Sequence, residues 1–138
     1  MKKILLAVSL FVSATTIAQK SQSTQQAKAA FAKAYPSVTN AKWEKENGNY
    51  EVSFEQNGIK KSVIYNAQGS LQESEVELKV SDLPAPISNY MTEHYKNIVV
   101  KSAAKITKAD GSINYEAAIK GKDVLFDANG KFIKEAKD

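Results

Sequence analysis

The sequence predicts an α+β protein made of two tandem α-ββββ units, with the helices packed on one face of a continuous antiparallel sheet. Three observations predict it. The second half of the chain repeats the first at an offset of 60 to 65 residues. In each half the apolar period changes from 3.6 to 2. Turn residues rich in glycine and asparagine separate the period-2 runs.

The repeat is ordered. Phe31, Tyr35, Val38, Tyr50-Glu51, Gly58 and Val63-Ile64-Tyr65-Asn66-Ala67-Gln68-Gly69 are answered by Met91, Tyr95, Ile98, Tyr115-Glu116, Gly121 and Val124-Leu125-Phe126-Asp127-Ala128-Asn129-Gly130. The first unit covers residues 19–80 and the second residues 81–138, together one compact domain.

Each unit opens with a helix. Ala27, Ala30, Phe31, Ala34 and Tyr35 follow the i, i+3, i+4, i+7, i+8 spacing of one apolar face. Ser23 or Thr24 suits the N-cap and Pro36 stops the helix. In the second unit Ile87, Tyr90, Met91 and Tyr95 form the stripe, entered through Ser81-Asp82-Leu83-Pro84-Ala85-Pro86.

Period-2 strands follow. Ala41 and Trp43, then Tyr50, Val52 and Phe54, then Val63 and Tyr65 alternate with polar neighbours, and a fourth strand runs from Leu71 to Leu78. Asn47-Gly48, Asn57-Gly58 and Asn66-Ala67-Gln68-Gly69 supply the turns. Strands are expected near 101–108, 113–120, 122–127 and 131–136 in the second unit, with Ala104 and Ile106 facing the helix beside Tyr115, Ala117, Ile119, Val124 and Phe126.

The chain begins Met1-Lys2-Lys3, continues apolar from Ile4 to Val12 and turns small and polar, the pattern of a secretory signal peptide. Thr16 and Ala18 place cleavage after Ala18, so residues 1–18 form the leader and the remainder carries no membrane span. The expected location is periplasmic or extracellular. With the leader go two of the 19 lysines, leaving 17 against 15 carboxylates, close to neutral. No arginine is present and the lysines are interleaved with glutamates, which argues against a nucleic-acid partner. The absence of cysteine excludes disulfides, CxxC chemistry and a lipidated thiol.

One apolar sheet side under a helix leaves the reverse side open. That open face is expected to present Lys42, Glu44, Glu51, Ser53, Glu55, Ser62 and Ile64 from the first unit, and Lys105, Thr107, Glu116, Ala118, Lys120 and Leu125 from the second. Ile64 and Leu125 are its expected exposed apolar positions.

At these residues the chain resembles the PepSY-like, β-lactamase-inhibitor-protein-like (BLIP-like) secreted proteins of bacteria. The likeness rests on the signal peptide, Ala34-Tyr35-Pro36, Trp43, Tyr50-Glu51-Val52, Val63-Ile64-Tyr65-Asn66-Ala67-Gln68-Gly69 and the Leu83-Pro84 linker before a second, similar unit. The resemblance implies a continuous curved sheet whose concave side is open, used by the inhibitor proteins to grip a target enzyme. It brings no inhibitory residues to this chain.

Candidate chemistry is sparse, and no catalytic, metal or cofactor site is expected. His94 is the only histidine and cannot by itself assemble a metal cluster or a nucleophile with its base; partial burial beside the second core is its expected role. Asp127-Ala128-Asn129-Gly130 resembles the opening of a calcium loop, but Asn66-Ala67-Gln68-Gly69 matches it without a carboxylate, so turn geometry is the preferred explanation. Glu73, Glu75 and Glu77 project from one side of a strand and read as a charged edge or rim, with an acidic docking strip or a carboxylate pair for hydrolysis as alternatives. Trp43, Tyr50, Tyr65, Tyr90, Tyr95 and Tyr115 read as core.

The sequence therefore predicts a non-enzymatic exported binding module that presents an open sheet face to a protein partner, with inhibition of a peptidase or other enzyme as its form. The alternative is an envelope protein that binds a small ligand or calcium in a cleft between the two units.

Overall fold

The computed structural model describes residues 17–137. The expected leader therefore lies outside the described residues, apart from Ile17 and Ala18. Contacts divide the chain into two compact units, one ending at Ser74 and the other beginning at Glu75. The elements are α1 (Ile17–Ala34), β1 (Ala41–Glu46), β2 (Asn49–Gln56), β3 (Ile59–Tyr65), β4 (Leu71–Leu78), α2 (Ala85–His94), β5 (Ser102–Lys108), β6 (Ile113–Ile119), β7 (Lys122–Asp127) and β8 (Phe132–Lys137). Strand order follows chain order from β1 to β8.

In the first unit α1 extends N-terminal of its expected start, so Ser23 and Thr24 lie within its span and not at its first residue. Tyr35 N–H closes on the Phe31 carbonyl at 2.8 Å, and Pro36 then ends the helix. Ala27 and Phe31 bury their side chains against Tyr50, Val52, Phe54, Val63 and Tyr65, with Tyr35, Val38 and Trp43 packed around them. Ala34, expected on this stripe, is exposed at the last helical position. The Phe31 ring meets Phe54 edge-on at 5.1 Å and Trp43 at 5.6 Å, arrangements that the ring quadrupoles favour.

Two-residue Asn-Gly turns join these strands. Asn47 and Gly48 have φ of 49° and 81°, and Asn57 and Gly58 have 56° and 77°. Positive φ at both positions matches the turn to the right-handed twist of the strands it joins. The turns fix the registers Glu44↔Glu51 and Lys42↔Ser53, then Glu51↔Ile64 and Ser53↔Ser62.

In the second unit a 3-10 turn at Val80–Asp82 precedes α2, an element without a signal in the apolar pattern. The polar cap expected from Ser81-Asp82 is not used. The N-cap is Pro84, whose carbonyl accepts from Ile87 N–H at 2.9 Å and Ser88 N–H at 3.2 Å. Ile87 and Met91 pack on Leu83, Ala103, Ala117, Ile119, Val124 and Phe126. Tyr90 meets Phe126 edge-on and stacks on Phe132 at 5.3 Å.

The facing of β5 corrects the sequence expectation. Ala103 pairs with Ala117 and Lys105 with Tyr115, while Ala104 pairs with Glu116 and Ile106 with Asn114. Paired residues share a side, so Ala103 and Lys105 are on the helix side and Ala104 and Ile106 on the reverse. A slip of one residue exchanges every side chain between faces, and the consecutive alanines fit both phases. Thr107, paired with Ile113, moves to the helix side with Lys105.

The expected wet reverse side also fails in this unit. Glu116 through Ile119 and Asp123 through Phe126 are buried without a break, the pattern of strands covered on both faces. Ala104, Ile106, Glu116, Ala118 and Leu125 are each at most 6% exposed, and Asp123 is wholly buried.

Candidate functional site

The reverse side of β1–β3 gathers the sequence-predicted residues of the first unit. Glu44, Glu51 and Ile64 form one row across the strands, and Lys42, Ser53 and Ser62 the next. Glu55 continues the same side two residues beyond Ser53 and pairs with Lys60. Lys42 and Glu55 are exposed, Glu44, Glu51, Ser53 and Ile64 are half-buried, and Ser62 is buried. The patch thus has one aliphatic side chain, Ile64, beside carboxylates of two strands.

Electrostatics order the outer strand. Lys42 Nζ lies 2.9 Å from Glu44 Oε1, with the lysine side chain 75% exposed. A solvent-facing pair of this kind adds little stability, and it presents both charges at the surface. Beside it, Ser37, Val38, Thr39, Asn40, Lys42, Ser53, Phe54 and Glu55 line a hollow of about 530 Å³. Of the α1–β1 connection only Val38 stands out in the sequence, as a repeat position; Ser37, Thr39 and Asn40 carry no periodic signal.

In the second unit Glu116 pairs with Leu125 and Ala118 with Asp123, so the predicted residues are adjacent, yet buried. Lys120 sits in the exposed turn between β6 and β7. Glu73, Glu75 and Glu77 lie on β4, which the strand order makes an interior strand and not the expected edge. Glu75 is only 7% exposed and its neighbours are half-buried.

The remaining candidates resolve structurally. His94 is exposed, not partly buried. Its ring stacks on Tyr90 at 3.9 Å, and Nδ1 donates to the Tyr90 carbonyl at 3.0 Å. Asp127 Oδ1 accepts from the backbone N–H groups of Asn129 and Lys131, both at 2.9 Å. Asn66 Oδ1 does the same for Gln68 and Ser70, at 3.0 and 2.9 Å. The calcium-like tetrapeptide is thus one of two matched side-chain turn caps. Among the described residues, no group of three or more His, Asp or Glu side chains is placed to hold a metal ion, and no helix is long and apolar enough to cross a membrane.

One polar network ties the C-terminal end of α2 to the last hairpin. Tyr95 Oη donates to Glu135 Oε1, and Lys122 Nζ donates to Glu135 Oε2 at 2.7 Å. The lysine and then the tyrosine hydrogen bond hold the Glu135 carboxyl below its ordinary value, while burial and then Glu135 push the Tyr95 hydroxyl above its own.

Comparison with known proteins places this geometry. A family model described as "Putative beta-lactamase-inhibitor-like, PepSY-like" matches residues 19–73 and again 48–134. A BLIP-like protein from Bacteroides fragilis superposes with a TM-score of 0.64 at 26% identity, covering 82% of this chain and 84% of that one. A DUF2874 family protein from Bacteroides uniformis gives 0.71 at 17% identity, covering 81% and 87%. A Bacteroides eggerthii protein described as "putative periplasmic" gives 0.69 at 15% identity, covering 81% and 86%. No curated protein matches the chain.

Proposed function

Since the chain belongs to the PepSY-like, β-lactamase-inhibitor-like family, we propose that it is an exported, non-enzymatic binding module that holds a protein partner on the reverse side of its sheet. The contact residues in this reading are Lys42, Glu44, Glu51, Ser53, Glu55 and Ile64 of the first unit. The observation that carries it is the grouping of these six on one side of β1–β3. A half-buried aliphatic side chain among charges is the composition of a recognition surface, with an apolar centre and a polar rim. Inhibition of a peptidase or other enzyme is the form of binding this surface suits, because it needs a complementary face and no reacting group.

In the second unit Glu116, Ala118 and Leu125 are buried and take no part in the proposed contact, while Lys120 is exposed in the β6–β7 turn. Residues 1–18 act as the export signal, which agrees with the periplasmic description of the Bacteroides eggerthii relative.

The test is capture from envelope and culture fractions with the exported protein as bait. Wild type is compared with Lys42→Glu/Glu51→Lys/Ile64→Lys and with Lys33→Glu on the exposed side of α1. The partner should be lost with the triple variant and kept with Lys33→Glu. Equal capture by all three would place recognition elsewhere.

A further inference from the structure

The second unit buries a sheet side that its helix does not touch. α1 packs on the first core and α2 on the second, and both cores lie on the helix side of their strands. Ala104, Ile106, Ala118 and Leu125, on the reverse side of β5–β7, belong to neither core. They are nonetheless 4%, 2%, 5% and 6% exposed, with Glu116 at 4% and Asp123 at 0% on the same side. A sheet side this dry is one against which an apolar layer rests, and among the described residues both helices are committed to the other side.

The chemistry of the covering layer follows from the charges beneath it. Side chains alternate along a strand, so Glu75, three positions from the core residue Leu78, faces the reverse side together with Glu77. Glu116 pairs with Leu125, Asp123 with Ala118 and Asp127 with Asn114, all on that side. Against these five carboxyl groups stand Lys108 and Lys134, both exposed, at the end of β5 and on the last strand, β8. Lys105 and Lys122 pair with Tyr115 and Ile119 of the helix side. A buried carboxylate keeps its charge only beside a cation or hydrogen-bond donors. An apolar strip within an acidic frame therefore fits a segment that is apolar along its length and basic at one end.

The leader has that composition: Lys2-Lys3, then the apolar run from Ile4 to Val12. The sixteen residues that precede Ile17 reach about 50 Å when extended, several times the radius of gyration of about 10 Å expected of a unit of about 60 residues. We infer that the leader of the uncleaved chain binds on the reverse side of β5–β7, its apolar run against Ala104, Ile106, Ala118 and Leu125 and its two lysines toward the carboxyl groups. Cleavage after Ala18 then removes the occupant and opens this side. The inference does not depend on the partner contact assigned to the first unit.

The chain has no cysteine, so a single introduced thiol reports its own surroundings. Ala103 and Ala104 are neighbours on β5, 3% and 4% exposed, on opposite sides of the sheet. In the full chain, produced without export so that the leader is retained, Ala103→Cys and Ala104→Cys should both react with N-ethylmaleimide at least tenfold more slowly than Lys33→Cys on the exposed side of α1. Adding Lys2→Glu/Lys3→Glu/Leu6→Asp should speed Ala104→Cys at least tenfold and leave Ala103→Cys slow, because α2 still covers it. A photoreactive residue at Leu6 gives a second reading that leaves the sheet unaltered: it should crosslink within its own chain to Ala104, Ala118 or Leu125.

Alkylation of Ala104→Cys as fast as Lys33→Cys in the chain with its natural leader would overturn the inference. So would slow alkylation that the leader substitutions do not change. Leu6 crosslinks confined to other elements would also overturn it, and crosslinks only between chains would assign the covering layer to a second copy instead. Where the leader substitutions expose both thiols, the Leu6 crosslinks decide.

Discussion

Asn66 and Asp127, 61 positions apart in the chain, cap their turns with the same pair of hydrogen bonds: each Oδ1 accepts the backbone N–H groups two and four residues on. The turn glycines that follow match too. A Cβ on Gly69 would come within 2.8 Å of the Gln26 carbonyl oxygen, and one on Gly130 within 2.8 Å of Pro86 Cβ. Each turn is therefore pressed against the helix of its own unit, and the internal repeat is a repeat of packing as well as of letters.

Asp127→Asn should leave stability nearly unchanged, because Asn66 performs the same task without charge. Asp127→Ala should cost about 1–2 kcal/mol through two lost backbone hydrogen bonds, read by denaturant unfolding. Millimolar calcium should leave the unfolding midpoint where it is, since the Asp127 oxygen is already engaged. A calcium-dependent rise in Tm would restore the ion-binding alternative.

Gly69→Ala and Gly130→Ala should destabilise more than Gly48→Ala and Gly111→Ala. All four adopt positive φ, a cost of about 1–2 kcal/mol for alanine. Only the first two also drive a methyl group into a helix, whereas nothing lies within 4 Å of the Cβ positions at Gly48 and Gly111. Overpacking adds about 1–3 kcal/mol. Equal losses at all four sites would show that the turns do not bear on the helices.

Ala27 and Ile87 hold equivalent helix positions, both 0% exposed. Ile87→Ala should cost about 2–5 kcal/mol by leaving a cavity. Ala27→Ile should cost about 1–3 kcal/mol by overpacking, because aromatic rings already fill the first core. Chemical denaturation of both variants checks the pair.

Acid stability should depend on Glu135. Its folded value is depressed below the ordinary 4.5, first by Lys122 and then by Tyr95. The network's contribution is therefore complete above about pH 4.5 and is lost as pH falls through the lower folded value. Tyr95 acts at the other end: its value is raised above 10.0, chiefly by burial and then by Glu135. Its contribution is complete below about pH 10 and is lost as pH rises through the folded value. Glu135→Gln should make the acid limb of a stability profile shallower than in wild type, and identical acid limbs would contradict the coupling.

Much of the architecture was legible because it rests on local signals. Asn47-Gly48 and Asn57-Gly58 announce their hairpins through the positive φ that those residues tolerate. The Val63 to Gly69 and Val124 to Gly130 runs carry the repeat. Facing was less legible where side chains are small: Ser102-Ala103-Ala104 fits either phase, and Ile106 drew the strand toward the wrong side.

Burial at Glu116 and Asp123 is also absent from the pattern, since a carboxylate in an alternating strand reads as wet until tertiary packing overrides it. The face of the first unit was readable because Lys42, Glu44, Glu51 and Ser53 alternate with large apolar residues.

The most direct test of the sheet-face account is site-specific photocrosslinking in living cells, with a photoreactive residue at Ser53 or, for comparison, at Lys33 on α1. A discrete crosslinked species from Ser53 and none from Lys33 is the predicted result. A species from Lys33 with none from Ser53 would contradict recognition through the reverse side of β1–β3.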